Sequence, residues 1–135
     1  MVIWKERTSV SREQQSVSLA GRKILVVEDE YFLADDISRA LRRAGAMVVG
    51  PFRDMADGQA ALEQNADLAA AVLDVNLNGT MVFPLADALL ERDVPFVFTT
   101  GYDSGAIPLG YRNIRRCEKP VDADVVVRLL AEAGN

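Results

Sequence analysis

Short apolar runs and amphipathic stretches alternate along the chain from about residue 22 to its end. The apolar runs are too short for helices and predict buried β-strands. Between them hydrophobic residues recur every three or four positions, which predicts helices with one apolar face. The predicted strands cover residues 23–27, 46–50, 69–73, 94–99 and 114–117, and the predicted helices cover residues 31–44, 54–65, a segment beginning near Pro84, and 122–133.

Local signals support the predicted helix ends. Gly45 stands where a helix commonly ends in a left-handed residue, and Asp54 stands where a side chain can cap the first turn. Pro84 fits the first turn of the third helix. The segment from 101 to 113 is rich in glycine and proline and leaves room for at most one helical turn. Strands that alternate with helices predict an α/β fold, a doubly wound parallel sheet of five strands.

The first twenty residues differ from the rest, because they are polar, rich in Ser and Gln, and lack any periodicity. We predict a disordered extension over residues 1–20 and a folded domain over residues 21–135. Trp4 is the feature of the extension that favours the alternative, a segment that docks on a partner.

The composition excludes several kinds of chemistry. The chain has no histidine, which excludes Ser-His and Cys-His catalysis, histidine-ligated metals and a phosphohistidine of its own. Cys117 is the single cysteine, so neither an intramolecular disulfide nor a thiolate zinc site can form. A metal bound here would be a hard cation held by oxygen atoms.

The charge and hydropathy patterns limit the kinds of partner that the protein is expected to bind. The net charge of −5 is unevenly distributed, because residues 1–23 carry a net charge of +3 and residues 24–135 a net charge of −8. An acidic folded part argues against binding duplex DNA, whose phosphates require a basic face. No apolar run reaches the roughly 20 residues of a membrane span, and the N-terminus lacks a signal peptide pattern. We therefore expect a cytoplasmic protein without nucleic-acid or membrane partners.

Charged and hydroxyl residues follow the predicted strands at the ends where parallel strands gather functional groups. Glu28 and Asp29 follow the first strand, Asp74 the third, Thr100 the fourth and Lys119 the fifth. Carboxylates at adjacent strand ends repel each other, and a divalent cation such as Mg²⁺ relieves that repulsion. Carboxylate, Mg²⁺, lysine and hydroxyl together can neutralise a transferring phosphoryl group, and the nucleophile would be a carboxylate.

Four motifs in order resemble the receiver domain of two-component response regulators, the CheY-like family. They are ILVVEDE at 24–30, VLDVNL at 72–77, FTTG at 98–101 and EKPV at 118–121. The resemblance covers residues 22–133, all but about the first twenty residues and the last two. It implies a flavodoxin-like fold of five βα units with strand order 2-1-3-4-5, here with a reduced fourth helix.

The resemblance implies a role for each matching residue. Asp74 would be the phospho-acceptor and a metal ligand. Asp29 would bind Mg²⁺ directly, Glu28 would bind it through water, and the backbone carbonyl of Asn76 would supply a further ligand.

The same resemblance implies how the phosphoryl oxygens would be held. The Thr100 hydroxyl, the Lys119 ammonium and the backbone amides of Asn76 and Gly101 would contact them. The family also implies a cis peptide bond before Pro120 that aims the lysine into the site. Thr99, which alternation sends to the opposite face from Thr100, is predicted to be a packed residue.

Within the family, the sequence around FTTGY at 98–102 resembles the FAT GUY response regulators, which are typically single domains without a DNA-binding output. Thr99 replaces the Ala of that signature, and Asp103 stands where a second Tyr is expected. Arg116 occupies the position of the aromatic residue that usually couples to the Thr hydroxyl. Tyr102 and Arg116 are therefore candidate switch residues, with ordering of the loop 102–113 as an alternative switch. The simpler interpretations are that Tyr102 covers the site and that Arg116 lies in solvent.

We expect a single-domain response regulator that takes a phosphoryl group on Asp74 from a sensor histidine kinase or histidine phosphotransferase. It would act as a switch, a relay intermediate or a phosphate sink, as a monomer or weak dimer, and not as a conventional turnover enzyme. The first alternative is a degenerate receiver that binds partners without phosphorylation. The second, a haloacid-dehalogenase-type phosphatase, requires a second acid where this chain has Asn76.

Overall fold

A computed structural model describes residues 18–101 and 107–133 of the chain. The strands are β1 (Lys23–Val27), β2 (Met47–Phe52), β3 (Ala70–Asp74), β4 (Asn76–Leu77), β5 (Thr80–Met81), β6 (Phe96–Thr100) and β7 (Arg116–Glu118). The helices are α1 (Tyr31–Arg43), α2 (Met55–Gln64), α3 (Phe83–Glu91) and α4 (Ala123–Ala133), with a 3₁₀ turn at Leu109–Tyr111.

Five parallel strands form the central sheet in the order β2-β1-β3-β6-β7. Counted along the chain within this sheet, the order is 2-1-3-4-5, so the predicted α/β fold and topology are confirmed. Helices cover both faces of the sheet, as a parallel sheet requires, because both of its faces are apolar and must be shielded from water. Central strand β3 is buried along its whole length.

The alternation of side chains along each strand separates two hydrophobic clusters. Leu25, Leu73 and Phe98 pack toward α2 and α3. Val26 and Val72 pack on the opposite face, toward α1 and α4. The apolar faces predicted for the helices are the faces that cover these clusters. No helix in the described part of the chain has the length and apolar character that crossing a membrane requires.

The predicted helix ends agree closely with the structure. Asp54 caps α2, since its carboxylate accepts a hydrogen bond from the Asp57 amide at 2.9 Å. Gly45 follows α1 with a φ of +97°, the left-handed conformation expected there. Pro84 lies in the first turn of α3.

Strand β2 is longer than predicted, because it continues through Gly50 and Pro51 to Phe52. Its pairing with β1 shifts between Leu25 and Val27, which marks a bulge. Gly50 has a φ of +112°, and a Cβ there would lie 2.8 Å from the carbonyl oxygen of Val26. Only glycine fits this approach, so the bulge depends on this residue.

The N-terminal boundary of the folded part differs from the prediction. Leu19, which we assigned to the extension, is completely buried between α1 and the sheet. Its amide donates a hydrogen bond to the carbonyl of Ala44 at 2.7 Å. The folded domain thus includes Leu19, and residues 1–17 lie outside the described part of the chain.

The described residues of the segment before the last strand, from 107 onward, include a 3₁₀ turn at Leu109–Tyr111. Its Tyr111 stacks on Phe83 of α3 with ring centroids 4.9 Å apart and donates a hydrogen bond to Asp87. Strand β7 begins at Arg116 instead of residue 114. These contacts attach the segment to α3 without a fourth α-helix among the described residues between β6 and β7.

Candidate functional site

A cavity of about 480 Å³ opens where the central strands end. Because the carboxyl ends of parallel strands lie at one edge of the sheet, residues far apart in sequence line it together. The lining residues are Asp29, Glu30, Asp74, Asn76, Asn78, Gly79, Gly101 and Lys119.

Three carboxyl groups meet at this edge. Glu28, Asp29 and Asp74 each offer an oxygen atom, and these atoms lie within 4.8 Å of one another. Glu28 is completely buried and Asp74 is 2% exposed. Burial, together with the neighbouring Asp74 carboxyl, raises the pKa of Glu28 to about 8. Burial also raises the pKa of Asp74, which means that its ionised form is disfavoured. A cation bound beside the acids would offset that cost.

Lys119 is the positive charge that faces these acids. Its Nζ donates a hydrogen bond to Asp74 Oδ2 at 3.0 Å and lies 3.6 Å from Glu28 Oε2 and 3.9 Å from Glu30 Oε1. Partial burial alone would lower the pKa of Lys119, but the contact with Asp74 and the nearby charges of Glu28 and Glu30 raise it. The ammonium therefore stays charged. The Lys119–Pro120 peptide bond is cis.

Neighbouring groups hold the two buried carboxylates in place. The Thr99 hydroxyl donates to Glu28 Oε1 at 3.2 Å, and the Glu30 amide donates to Glu28 Oε2 at 3.0 Å. The Asn76 amide donates to Asp74 Oδ1 at 3.2 Å. Both acids thus have fixed hydrogen-bond donors, and Asp74 also faces the cavity.

The hydroxyl groups of the two threonines of β6 make different contacts. Thr99 is completely buried, as expected of a packed residue, but its hydroxyl contacts the acidic group, a role we missed. The Thr100 hydroxyl donates to the carbonyl of Gly101 at 3.2 Å, and its predicted contact with a phosphoryl oxygen stays a prediction. Strand register explains the Thr99 contact, because Thr99 lies beside Asp74 where β3 pairs with β6.

The remaining predicted residues are placed as follows. Gly101 and Asn76 line the cavity with the acids. Asn76 begins a short hairpin, β4 to β5, that the sequence analysis did not predict, and its side chain accepts a hydrogen bond from the Gly79 amide at 2.6 Å. Arg116 lies half-buried in β7 beside Phe98 and does not line the cavity. Tyr102 lies outside the described residues.

The donor set suits Mg²⁺. Every candidate ligand is an oxygen atom, and the buried carboxylates converge on one side while the cavity leaves room for water ligands. Mg²⁺ binds in this way, through a few carboxylates and several retained waters.

Comparison with solved structures finds similar chains. SdrG from Sphingomonas melonis Fr1 matches with a TM-score of 0.74 and 35% identity, over 84% of this chain and 96% of that chain. SdrG from Pseudomonas melonis Fr1 in a BeF3-activated conformation matches with a TM-score of 0.68 and 35% identity, over 85% and 98%. The response regulator PhyR from Brucella abortus matches with a TM-score of 0.73 and 22% identity, over 93% of this chain and 52% of that one.

Identity of 22% to PhyR shows the shared fold alone. The identity of 35% to SdrG, over nearly all of that chain, shows common membership of a family. Comparison with protein-family models finds no match, and comparison with curated protein sequences finds none.

Proposed function

Because this chain belongs to the receiver domains of response regulators, we propose that it is a single-domain response regulator phosphorylated on Asp74. The observation that carries the proposal is the geometry around this carboxylate. Asp74 lies beside two further acids whose oxygens are within 4.8 Å and contacts a lysine at 3.0 Å. A nucleophile, a metal site and a cation for the phosphoryl oxygens would thus lie side by side.

In the proposed reaction, a carboxylate oxygen of Asp74 attacks the phosphorus of a partner's phosphohistidine. The new P–O bond forms as the P–N bond breaks, and the electron pair of that bond stays on the imidazole nitrogen, which takes up a proton from solvent. Lys119 already contacts Asp74 Oδ2 and would move to a phosphoryl oxygen as the aspartyl phosphate forms. The amides of Asn76 and Gly101 would hold the other oxygens.

Glu28, Asp29 and Asp74, with the carbonyl of Asn76, would hold Mg²⁺. When bound, the cation would supply positive charge beside the transferring group. Thr99 and the Glu30 amide fix Glu28 in the orientation that this role requires. Thr100 would join the site if its hydroxyl turned from the Gly101 carbonyl to a phosphoryl oxygen.

The phosphodonor must be another protein, because this chain has no histidine. A sensor histidine kinase or a histidine phosphotransferase has the required chemistry. The protein would then act as a switch, relay intermediate or phosphate sink, assisting its own phosphorylation and dephosphorylation without turning over a substrate. The BeF3-activated conformation named for SdrG supports this proposal, since BeF3 is an analogue of a phosphoryl group.

One observation favours a second candidate, a receiver that binds partners without phosphorylation. Arg116 stands where relatives carry the aromatic switch residue, and it lies beside Phe98 instead of lining the site. In that case, partner binding would be unchanged by Asp74→Asn.

The test is phosphorylation by acetyl phosphate with Mg²⁺, followed by intact-mass spectrometry. We expect one added phosphoryl group that disappears in Asp74→Asn and when Mg²⁺ is chelated. Asp93→Asn is the matched control, because Asp93 is an exposed aspartate before β6, at the opposite end of the sheet, in a left-handed conformation that Asn also adopts. An adduct that persists in Asp74→Asn would contradict the assignment. Failure with both acetyl phosphate and candidate kinases would favour the unphosphorylated receiver.

A further inference from the structure

A second cavity, of about 350 Å³, lies between α1 and the end of β2. Its volume falls within the range of small-molecule sites. We call it the α1 cavity, and its lining residues are Glu28, Tyr31, Ala34, Asp35, Ser38, Arg42, Pro51 and Arg53. None of these residues lines the cavity around Asp74. The two cavities have no lining residue in common, and Glu28, which belongs to the acidic group with Asp29 and Asp74, lies between them.

Regular secondary structure builds the walls of the α1 cavity. The lining residues of α1 recur at intervals of three or four positions from Tyr31 to Arg42, so they form one stripe along the helix. The facing wall includes Pro51, which lies in the bulge of β2 beside Gly50. A cavity between a helix and a bulged strand is a defined feature of the fold.

Ser38 has a buried hydroxyl that points to a ligand. The residue is 1% exposed, and its Oγ has no hydrogen-bond partner among the described residues. Buried polar atoms are almost always paired, because leaving one unpaired costs stability. Ser38 also lines the α1 cavity, and although its Oγ is closed to solvent in this conformation, rotation about χ1 would let a polar atom bound there complete its hydrogen bonding.

The charges around the α1 cavity favour an anion. Asp35 is already paired with Arg39, whose Nε lies 3.2 Å from Asp35 Oδ2. The Glu28 carboxylate is engaged by the Thr99 hydroxyl and the Glu30 amide. The acids of the lining thus have partners before any ligand enters.

The two arginines of the lining keep donors available. Arg53 uses one guanidinium nitrogen on the carbonyl of Asp29, at 3.1 Å, and retains its others. Arg42 is exposed and makes no ion pair within residues 18–101 and 107–133. Guanidinium groups with free donors bind carboxylate and phosphate oxygens. Ala34, Pro51 and the ring of Tyr31 offer apolar surface beside them.

We propose that the α1 cavity binds a small organic anion, with a carboxylate or phosphate group on a compact apolar body. Arg42 and Arg53 bind the anionic group, Ser38 hydrogen-bonds to the ligand, and Ala34 and Pro51 contact its apolar part. The site does not use Asp74, but it shares Glu28 with the acidic group proposed above to hold Mg²⁺.

The test is an amide NMR titration of the whole protein with benzoate, using benzamide as a neutral molecule of the same shape. We expect saturable shifts at residues 34–42 and 52–53, and affinity for benzamide lower by about fivefold or more. Arg42→Gln should weaken benzoate binding by a similar factor. Arg43→Gln is the matched control, since Arg43 is the adjacent exposed arginine and lies outside the lining.

A second variant tests the role of the serine. Ser38→Ala should weaken benzoate binding and should not lower the melting temperature, because it removes a hydroxyl without a partner. A lower melting temperature with unchanged benzoate affinity would show that water satisfies the hydroxyl, and would overturn the proposal. Shifts confined to the cavity around Asp74, equal losses in Arg42→Gln and Arg43→Gln, or no saturable shift would also overturn it.

Discussion

The acidic site and an aromatic cluster meet at β6 and contribute to stability with opposite signs. The acidic site consists of Glu28, Asp29, Asp74 and Lys119. The aromatic cluster consists of Phe83, Phe96, Phe98 and Tyr111, whose rings contact one another edge-on or stacked. Thr99 contacts the acidic site, while its neighbour Phe98 belongs to the aromatic cluster.

The difference lies in the sign of each region's contribution to stability. Burial raises the pKa values of Glu28 and Asp74, so keeping both ionised opposes folding. Phe98 buries its whole side chain among other rings and favours folding. The destabilising acidic site is thus offset by the packing of Phe98, one residue before the Thr99 that contacts Glu28, as expected where a fold carries a reactive site.

Removing the centre of the aromatic cluster should have the largest effect. Phe98→Ala should lower the free energy of unfolding by about 3–5 kcal/mol, because it leaves a cavity among Phe83, Phe96 and Tyr111. Urea denaturation measures this change. Leu90→Ala, at a position that is 44% exposed, serves as control and should cost much less. Equal losses in the two variants would contradict the central place of Phe98.

Removing the cation of the acidic site should impair chemistry. Lys119→Met should slow phosphorylation by acetyl phosphate by about 10²–10³-fold, the usual cost of losing one charge-stabilising donor. Lys23→Met provides the matched control, because Lys23 pairs with Asp67 and lies at the start of β1, away from the site. The time course of the mass adduct measures both rates. A similar slowing in the two variants would count against a role for Lys119 in transfer.

The acidic site should also make stability depend on pH. The pKa of Glu28 is raised from 4.5 to about 8 in the folded protein, so folding binds a proton between these values. The stability that the raised pKa of Glu28 contributes is fully present below pH 4.5. It is lost as the pH rises through about 8, where the folded protein gives up this proton. Asp74 acts in the same direction.

We therefore expect the melting temperature in chelator to fall between about pH 5 and pH 9, as the raised pKa of Glu28 requires. Glu28→Gln should flatten this profile, since glutamine cannot ionise. Thermal melts by circular dichroism, with Mg²⁺ excluded, measure the two profiles. A rising profile, or one that the substitution leaves unchanged, would refute the electrostatic account of this region.

The smallest expected effect concerns the edge of the aromatic cluster. Tyr111→Phe keeps the ring and removes the hydrogen bond to Asp87, which should cost about 0.5–1.5 kcal/mol. Burial and the Asp87 carboxylate raise the pKa of Tyr111 to about 12, so ultraviolet titration should lose one late-ionising tyrosine. Tyr31→Phe is the control for stability, because Tyr31 is 63% exposed and its hydroxyl should contribute little.

The elements that the sequence predicted well are those with a strong local signal. Helix α1 has a regular apolar stripe, α2 has the Asp54 cap, and β3 is uncharged until its last residue. Periodicity and capping depend on neighbouring residues, so they can be read without knowing the fold.

The features that escaped prediction depend on distant contacts. Leu19 is buried because its amide donates to the Ala44 carbonyl and its side chain reaches the core, although it follows a stretch rich in Ser and Gln. The bulge at Gly50 depends on the approach of Val26 from another strand. The hairpin that begins at Asn76 is too short to show a periodic pattern.

By itself, the sequence determined the alternation of strands and helices, the acids and lysine that follow the strands, and a donor set made only of oxygen atoms. Tertiary structure decided that Lys119 contacts Asp74, 45 residues away, and that the Thr99 hydroxyl contacts Glu28. It also decided that Ser38 lines the α1 cavity with an unpaired hydroxyl. The physical reason is that residue type and periodicity are local, whereas distances between side chains depend on strand order and register.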